Sequence, residues 1–360
     1  MLYHLLYPLV NYHTVFNVFR YVTFRTAGAI MASLLISLLL GPYIIQRLRG
    51  LHVGQQIRED GPGTHTTKAG TPTMGGLLIL AAVTGSTLLW ANLTYRFVWL
   101  ILLATLAMGA VGFFDDFLKL TRQSSKGLAP RYKFAFQILL GLAVGLYLCL
   151  FPVDEFTTRL SIPFVKWWLP DLGWAYVPLV MLIMVGCSNA VNLTDGLDGL
   201  ATGPMIMASA AYTVLAYMAG HAAIARYLQV IYVRESSELT IFGGAVVGAS
   251  LGFLWFNAYP AQVFMGDTGS LALGTALALL AILTKQELLL VIIGGVFVIE
   301  TVSVILQVFS FKTTGRRIFR MAPIHHHYEL NGLVEPKIIV RFWIISFILA
   351  LISLMTLKLR

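Results

Sequence analysis

The chain is predicted to be an all-α polytopic membrane protein with about ten transmembrane helices. Three observations carry this prediction. Of its 360 residues, 58% are hydrophobic and 11% charged, whereas soluble domains carry roughly a quarter charged residues. Mean hydropathy is +0.80. The apolar residues fall into runs of the length that crosses a bilayer, about 20 residues.

Residues 1–23 mix aromatic and aliphatic side chains with Asn and His. They lack the early basic region and small-residue cleavage pattern of a signal peptide, and are expected to lie at the membrane interface. Spans are then predicted at 26–46, 74–91, 98–114, 134–151, 174–191, 200–219, 239–256, 268–284, 288–308 and 339–357. Lys285, Gln286 and Glu287 alone part the eighth from the ninth, which predicts a tight helical hairpin rather than one long helix. Glycines inside the spans, among them Gly141, Gly145, Gly243, Gly244 and Gly248, suit close approach of membrane helices. The segment 152–173, with Pro152, Pro163 and Pro170, is expected to form a small hairpin on the membrane. No repeat or linker divides the chain, so residues 1–360 are expected to form one integral membrane domain.

Orientation follows from the basic residues. The loops after the odd-numbered spans, including the 309–337 loop, hold about 15 of the 25 Lys and Arg residues. Those loops are expected to be cytoplasmic and both termini periplasmic. The net charge of +9 then reads as a basic membrane face meeting anionic lipid or substrate, not as a nucleic-acid surface. Cys149 and Cys187 lie in apolar runs and offer neither a disulfide framework nor metal-ligand spacing.

Chemistry is expected where acids gather in loops. Residues 189–200 form a polar island in which Asn189, Asn192, Asp195 and Asp198 recur every third position, near one face of a helix. Two readings fit: a site for a hard cation or phosphorylated ligand, or a turn with Asp195 or Asp198 as N-cap. Asp115 and Asp116 close the third span, with Lys119 one turn on. Acids gain nothing from a helix C-terminus, and adjacent carboxylates repel unless a cation joins them. Asp267, in Gly-Asp-Thr-Gly-Ser, reads as an N-cap or as part of a phosphate-approach loop. Lys68 precedes the Gly- and Pro-rich segment 70–76. His325, His326 and His327 suit phosphate contact or acid–base work better than a zinc site, since no Cys supports them. Arg316, Arg317 and Arg320 form a basic, amphipathic stretch ahead of them. Glu300, inside the ninth span, is costly there unless paired or wetted, and its role is left open.

The predicted topology puts the acidic pairs, Asp267 and the His triplet in four loops on one face. Several carboxylates with a basic rim suggest Mg²⁺ and a multiply anionic substrate. A secondary transporter would instead place its ionisable groups near the midplane, within internal repeats; only Glu300 favours that class.

Six motifs in this order resemble the phospho-N-acetylmuramoyl-pentapeptide-transferase family. They are Gly-Thr-Pro-Thr-Met-Gly-Gly at 70–76, Asp-Asp at 115–116, Asn-Leu-Thr-Asp-Gly-Leu-Asp-Gly-Leu at 192–200, Gly-Phe-Leu-Trp-Phe-Asn at 252–257, Phe-Met-Gly-Asp at 264–267, and Ala-Pro-Ile-His-His-His-Tyr-Glu at 322–329. The resemblance implies a homodimeric, Mg²⁺-dependent enzyme of the bacterial inner membrane. It would transfer phospho-MurNAc-pentapeptide from its UDP carrier, UDP-MurNAc-pentapeptide, to undecaprenyl phosphate, giving lipid I and UMP. It further implies that Asp267 is the main Mg²⁺ ligand, and that Asp115, with Asp116 beside it, activates the lipid phosphate. Lys68, Asn192, Asp195, Asp198, Asn257 and Phe264 would form the uridine and diphosphate environment, with Phe264 stacked on uracil. Lys119 and Lys133 would also bind substrate, His326 would act in catalysis, and His325 and His327 would contact the sugar–phosphate region. A relative that uses UDP-N-acetylhexosamine would need the same acids, and the triple His favours the muramoyl substrate.

Overall fold

The computed structural model describes residues 1–50, 70–122, 127–165 and 167–358. After a short α1 (Leu2–Leu6) and two 3₁₀ turns come α2 (Val22–Gly50), α3 (Gly76–Trp90), α4 (Arg96–Thr121), α5 (Pro130–Leu150), α6 (Tyr176–Thr194), α7 (Thr202–Gly220) and α8 (Ala222–Leu228). They are followed by α9 (Ser236–Asn257), α10 (Gly266–Leu283), α11 (Leu290–Ile293), α12 (Gly295–Thr314), α13 (Ile324–Leu330) and α14 (Glu335–Met355). Eight of these helices are long and apolar enough to cross a membrane, and α3 is a shorter apolar helix. The protein is therefore polytopic, as its composition predicts.

Helices α9 and α10 form the centre. α9 packs on α2 and α7, and α10 packs on α4 and α6. Small residues permit this. A Cβ at Gly248 would lie 2.1 Å from the carbonyl oxygen of Ile30, so α2 and α9 touch backbone to backbone. Gly141 meets the backbone of Met181 in the same way, between α5 and α6.

One end of the bundle is closed by buried ion pairs. Arg25 grips Glu238 with two contacts of 2.7 Å, and Asn92 N–H donates to the same carboxylate at 2.8 Å. Both side chains are nearly inaccessible, and such charges persist in the interior only when paired and hydrogen-bonded. Both chain ends lie here. The Met1 ammonium donates to Leu88 O at the end of α3, and Lys358 sits 3.9 Å from the Tyr227 ring of α8.

The turn after α10 is not a loose hairpin tip. Lys285, Gln286 and Glu287 are all buried. The Lys285 ammonium contacts Glu287 at 2.6 Å, Tyr176 Oη at 2.8 Å and Thr157 O at 3.1 Å. Thr157 belongs to the 152–173 segment, which does fold back on itself through an antiparallel bridge between Arg159 and Asp171.

The predicted ninth span differs most from expectation. The chain breaks at Gly294, between α11 and α12, and a Gly pair is a common site of such a break. α12 packs on α6 and α14 rather than forming a tight hairpin with α10. Val296, at its start, already clusters with Leu197 and Ile338, beside the polar island.

Candidate active site

The polar motifs converge at the other end of the bundle, where α4 and α6 finish and α5, α10 and α14 begin. α4 runs on to Thr121, so Asp115 and Asp116 sit before its last turn and Lys119 reaches back to both. Its ammonium lies 2.6 Å from Asp115 Oδ2 and 3.6 Å from Asp116 Oδ1. It also lies 3.2 Å from Asp267 Oδ2. Lys133, on the first turns of α5, completes the lattice at 2.6 Å from Asp267 Oδ2 and 3.2 Å from Asp115 Oδ1. Leu128 N–H donates to Asp115 at 2.8 Å.

Asp267 is not the N-cap of α10. It stands second in that helix, and Met265 holds the cap position. The cap comes from another helix. Asp116 accepts from Asp267 N–H at 3.2 Å, Thr268 N–H at 2.9 Å and the Thr268 hydroxyl at 2.8 Å. An acid that gains nothing from the end of its own helix thus meets the positive end of a neighbour. Gly112, one turn before Asp116, lets the two helices close: a Cβ there would lie 2.2 Å from Asp267 O. Asp267 is freed to point its carboxylate outward, with Oδ1 accepting from Asn192 at 2.9 Å. Of the three acids it alone is partly exposed, at 14% against 0% and 2%.

The polar island divides its work. Asn192 sits on the last turn of α6 and also donates to Ser270 at 2.8 Å. Asp195 ends α6 as its C-cap, and neither it nor Asp198 is an N-cap, since α7 begins at Thr202 behind Ala201. Burial pushes the Asp195 carboxyl up to about 8, with the charges of Asp267, Asp116 and Asp198 adding to the effect. Asp198 is buried and accepts from Ala261 N–H at 2.9 Å, which ties down the loop before α10. Asn257 serves the same loop: it donates to Val263 O at 2.9 Å and accepts from Thr202 at 3.1 Å. Phe264 is half-buried. Its backbone pairs with the 70–76 motif, Phe264 N–H with Pro72 O and Gly75 N–H with Phe264 O, each at 2.8 Å. Lys68 lies outside the described residues.

The three histidines point different ways. His325 is fully buried, with Nδ1 at 3.1 Å from Glu300 Oε2. His326 is partly exposed and pairs with Glu329 at 2.7 Å. His327 Nδ1 accepts from Arg320 N–H at 3.2 Å. Thr268, Ser270 and Glu335, which accepts from Asp198 N–H at 2.9 Å, are supports of the cluster that motif reading passed over, and Glu300, whose role was left open, meets His325. For Thr268 and Ser270 the signal was present, since both stand in Gly-Asp-Thr-Gly-Ser.

The arrangement can bind anions and a cation together. Asp115, Asp116 and Asp267 each offer an oxygen within 4.8 Å of the others. An all-oxygen donor set suits a hard divalent cation, and Asp267 is the accessible member. Lys119 and Lys133, 32% and 19% exposed, rim the cluster where phosphate oxygens would meet them. Lys133, Asn192, Gln137 and Phe134 also line an adjoining open cavity of about 500 Å³ between α5 and α6.

Fold and sequence together define a polytopic membrane protein of glycosyl transferase family 4, whose family model matches residues 98–285. Residues 68–80 match phospho-N-acetylmuramoyl-pentapeptide-transferase signature 1. The chain is similar over its whole length to proteins named phospho-N-acetylmuramoyl-pentapeptide-transferase. It is 59% identical to that of Syntrophus aciditrophicus, 58% to that of Desulfatibacillum aliphaticivorans and 56% to that of Pelobacter propionicus, with 100% of both chains covered in each case. The chain belongs to the phospho-N-acetylmuramoyl-pentapeptide-transferase family.

Proposed function

We propose that this chain transfers phospho-MurNAc-pentapeptide from UDP-MurNAc-pentapeptide to undecaprenyl phosphate, in the bacterial cytoplasmic membrane and as a homodimer. An oxygen of the lipid phosphate bonds to the sugar-linked phosphorus, the diphosphate P–O bond breaks, and UMP leaves as lipid I forms. The observation that carries this reading is the full-length identity to the named relatives, 59% at the highest quoted. The cluster of Asp115, Asp116 and Asp267, rimmed by two lysines, supports it.

Mg²⁺ would be held chiefly by Asp267, with Asp115 nearby, and when bound would neutralise charge on the diphosphate. The protein's own groups do the positioning. Lys119 and Lys133 draw diphosphate oxygens towards the acids. Asp116 fixes the first turn of α10, and with it Asp267. Asp115 has its oxygens engaged by both lysines and Leu128 N–H, which supports a role in holding those ammoniums; accepting a proton requires one contact to open. Asp195, Phe264 and the partly exposed His326 and His327 remain the proposed nucleotide and sugar–phosphate contacts. Asp198 and Asn257 act behind them, through the 258–265 loop. Direct attack by the lipid phosphate needs fewest assumptions, because that oxygen is already nucleophilic.

The test is UMP release by purified protein from UDP-MurNAc-pentapeptide and a polyprenyl phosphate, with and without EDTA, and with Asp267→Asn. Release that needs acceptor and Mg²⁺ and collapses in the variant supports the reading. Release from UDP-N-acetylglucosamine alone overturns the substrate, and no release from either donor by folded protein overturns the transferase.

A further inference from the structure

Helix α13 carries the His triplet, yet of its seven residues only His325 is buried. A helix this short does not stand on its own hydrogen bonds: Ile324 packs against the cluster of Val296 and Ile338, and something must hold the buried His325 side chain. Two elements do. From α12, Glu300 places Oε2 3.1 Å from His325 Nδ1, with both side chains fully buried. From the polar island, Gly196 lies against the far edge of the ring, where a Cβ would stand 2.4 Å from Nε2. Among the described residues, Nε2 and Glu300 Oε1 have no hydrogen-bond partner.

The chemistry of this contact is restrictive. A neutral imidazole carries a single proton, on one ring nitrogen only, and Glu300 Oε2 offers Nδ1 an acceptor. A second proton on Nε2 would leave a buried N–H aimed at the Gly196 backbone without an acceptor, which is costly. A bare Nε2 against that glycine costs less. We propose that Glu300 is a positioning residue that holds His325 in its Nδ1–H tautomer against Gly196, and so ties α13 to the loop bearing Asp195 and Asp198. After the break at Gly294, Gly295 packs on Leu349 of α14, and Glu300, further along α12, meets His325. Glu300 touches no substrate in this scheme. It sets the spacing between His326 and His327 on one side and Asp195 on the other.

The kinetic consequence rests on the transferase reading; the tautomer does not. Full-length protein labelled with ¹⁵N-histidine is examined by NMR in nanodiscs without substrate, with His325→Gln to assign the signal. A neutral ring with protonated Nδ1 and bare Nε2 is expected, reverting to a mixture of tautomers in Glu300→Ala. An Nε2–H ring, a cationic ring, or a signal unchanged in Glu300→Ala overturns the proposal. In parallel, kcat/KM for UMP release is expected to fall about tenfold or more in Glu300→Ala, the weight of one unpaired buried polar group, mostly through donor KM. Glu300→Gln should recover most of it, since its amide oxygen still accepts from Nδ1–H. Equal kinetics in parent and Glu300→Ala overturns the positioning role. If Glu300→Ala does not fold, Glu300→Gln decides: a retained Nδ1–H ring with near-parental kcat/KM supports the proposal, and a lost Nδ1–H ring or collapsed kcat/KM overturns it. A parent that releases no UMP counts against the transferase alone, and the NMR result still judges Glu300.

Discussion

Asp116 on α4 caps a helix that is not its own, accepting from the Thr268 backbone N–H of α10 at 2.9 Å. Two further donors, Asp267 N–H and the Thr268 hydroxyl, share the same carboxylate. Asparagine offers one acceptor oxygen where the aspartate offers two. Asp116→Asn is therefore expected to lower stability by about 1–3 kcal/mol and to cut UMP release by misplacing Asp267. Thermal unfolding in detergent, measured beside the rate, checks this; parental values for both would refute the cap.

Lys133 contacts two of the three acids, at 2.6 and 3.2 Å. Its removal leaves the cluster more negative. Lys133→Ala should bind Mg²⁺ more tightly while donor KM rises roughly ten- to a hundredfold, as for a lost charge-assisted hydrogen bond. The opposite shifts make this a sharp test: a Mg²⁺ titration and a donor titration moving the same way would contradict it.

Asp195 gives the pH prediction. Its carboxyl is raised from 3.8 to about 8. Ionisation therefore opposes folding, and the opposition grows as pH rises from the unfolded value to the folded one. In EDTA, Asp195→Asn should match the parent near the lower value, gain on it steadily up to about 8, and hold a constant lead above. Melting curves across that window decide it, and a flat difference would show that the carboxyl stays ionised throughout.

Gly112 sets the spacing between α4 and α10, since its Cβ would meet Asp267 O at 2.2 Å. Backbone cannot yield as a flexible side chain does. Gly112→Ala is expected to cost about 1–3 kcal/mol through overpacking and to lower activity more than a comparable change elsewhere on α4. A variant with unchanged melting and rate would show that the helices part freely.

Composition and run length were enough to predict a membrane-embedded helical protein, because lipid leaves few other ways to satisfy a backbone. Motif order was enough to predict the family. The acids, too, were legible as a group, since polar residues stand out sharply against apolar spans. What each polar residue touches was not legible. Asn257 and Asp198 read as ligand groups, yet their polar atoms hold the 258–265 loop. His325 reads as a sugar–phosphate contact, yet it is buried on Glu300. Asp267 reads as a cap, yet Asp116 does the capping, 151 residues away in sequence. The ninth span reads as one helix, yet Gly294 breaks it. Sequence records which residues carry charge and where helices can form. Which charge meets which is decided by packing between distant helices, through glycine contacts such as Gly112 on Asp267 and Gly196 on His325, and that is a property of the tertiary structure alone.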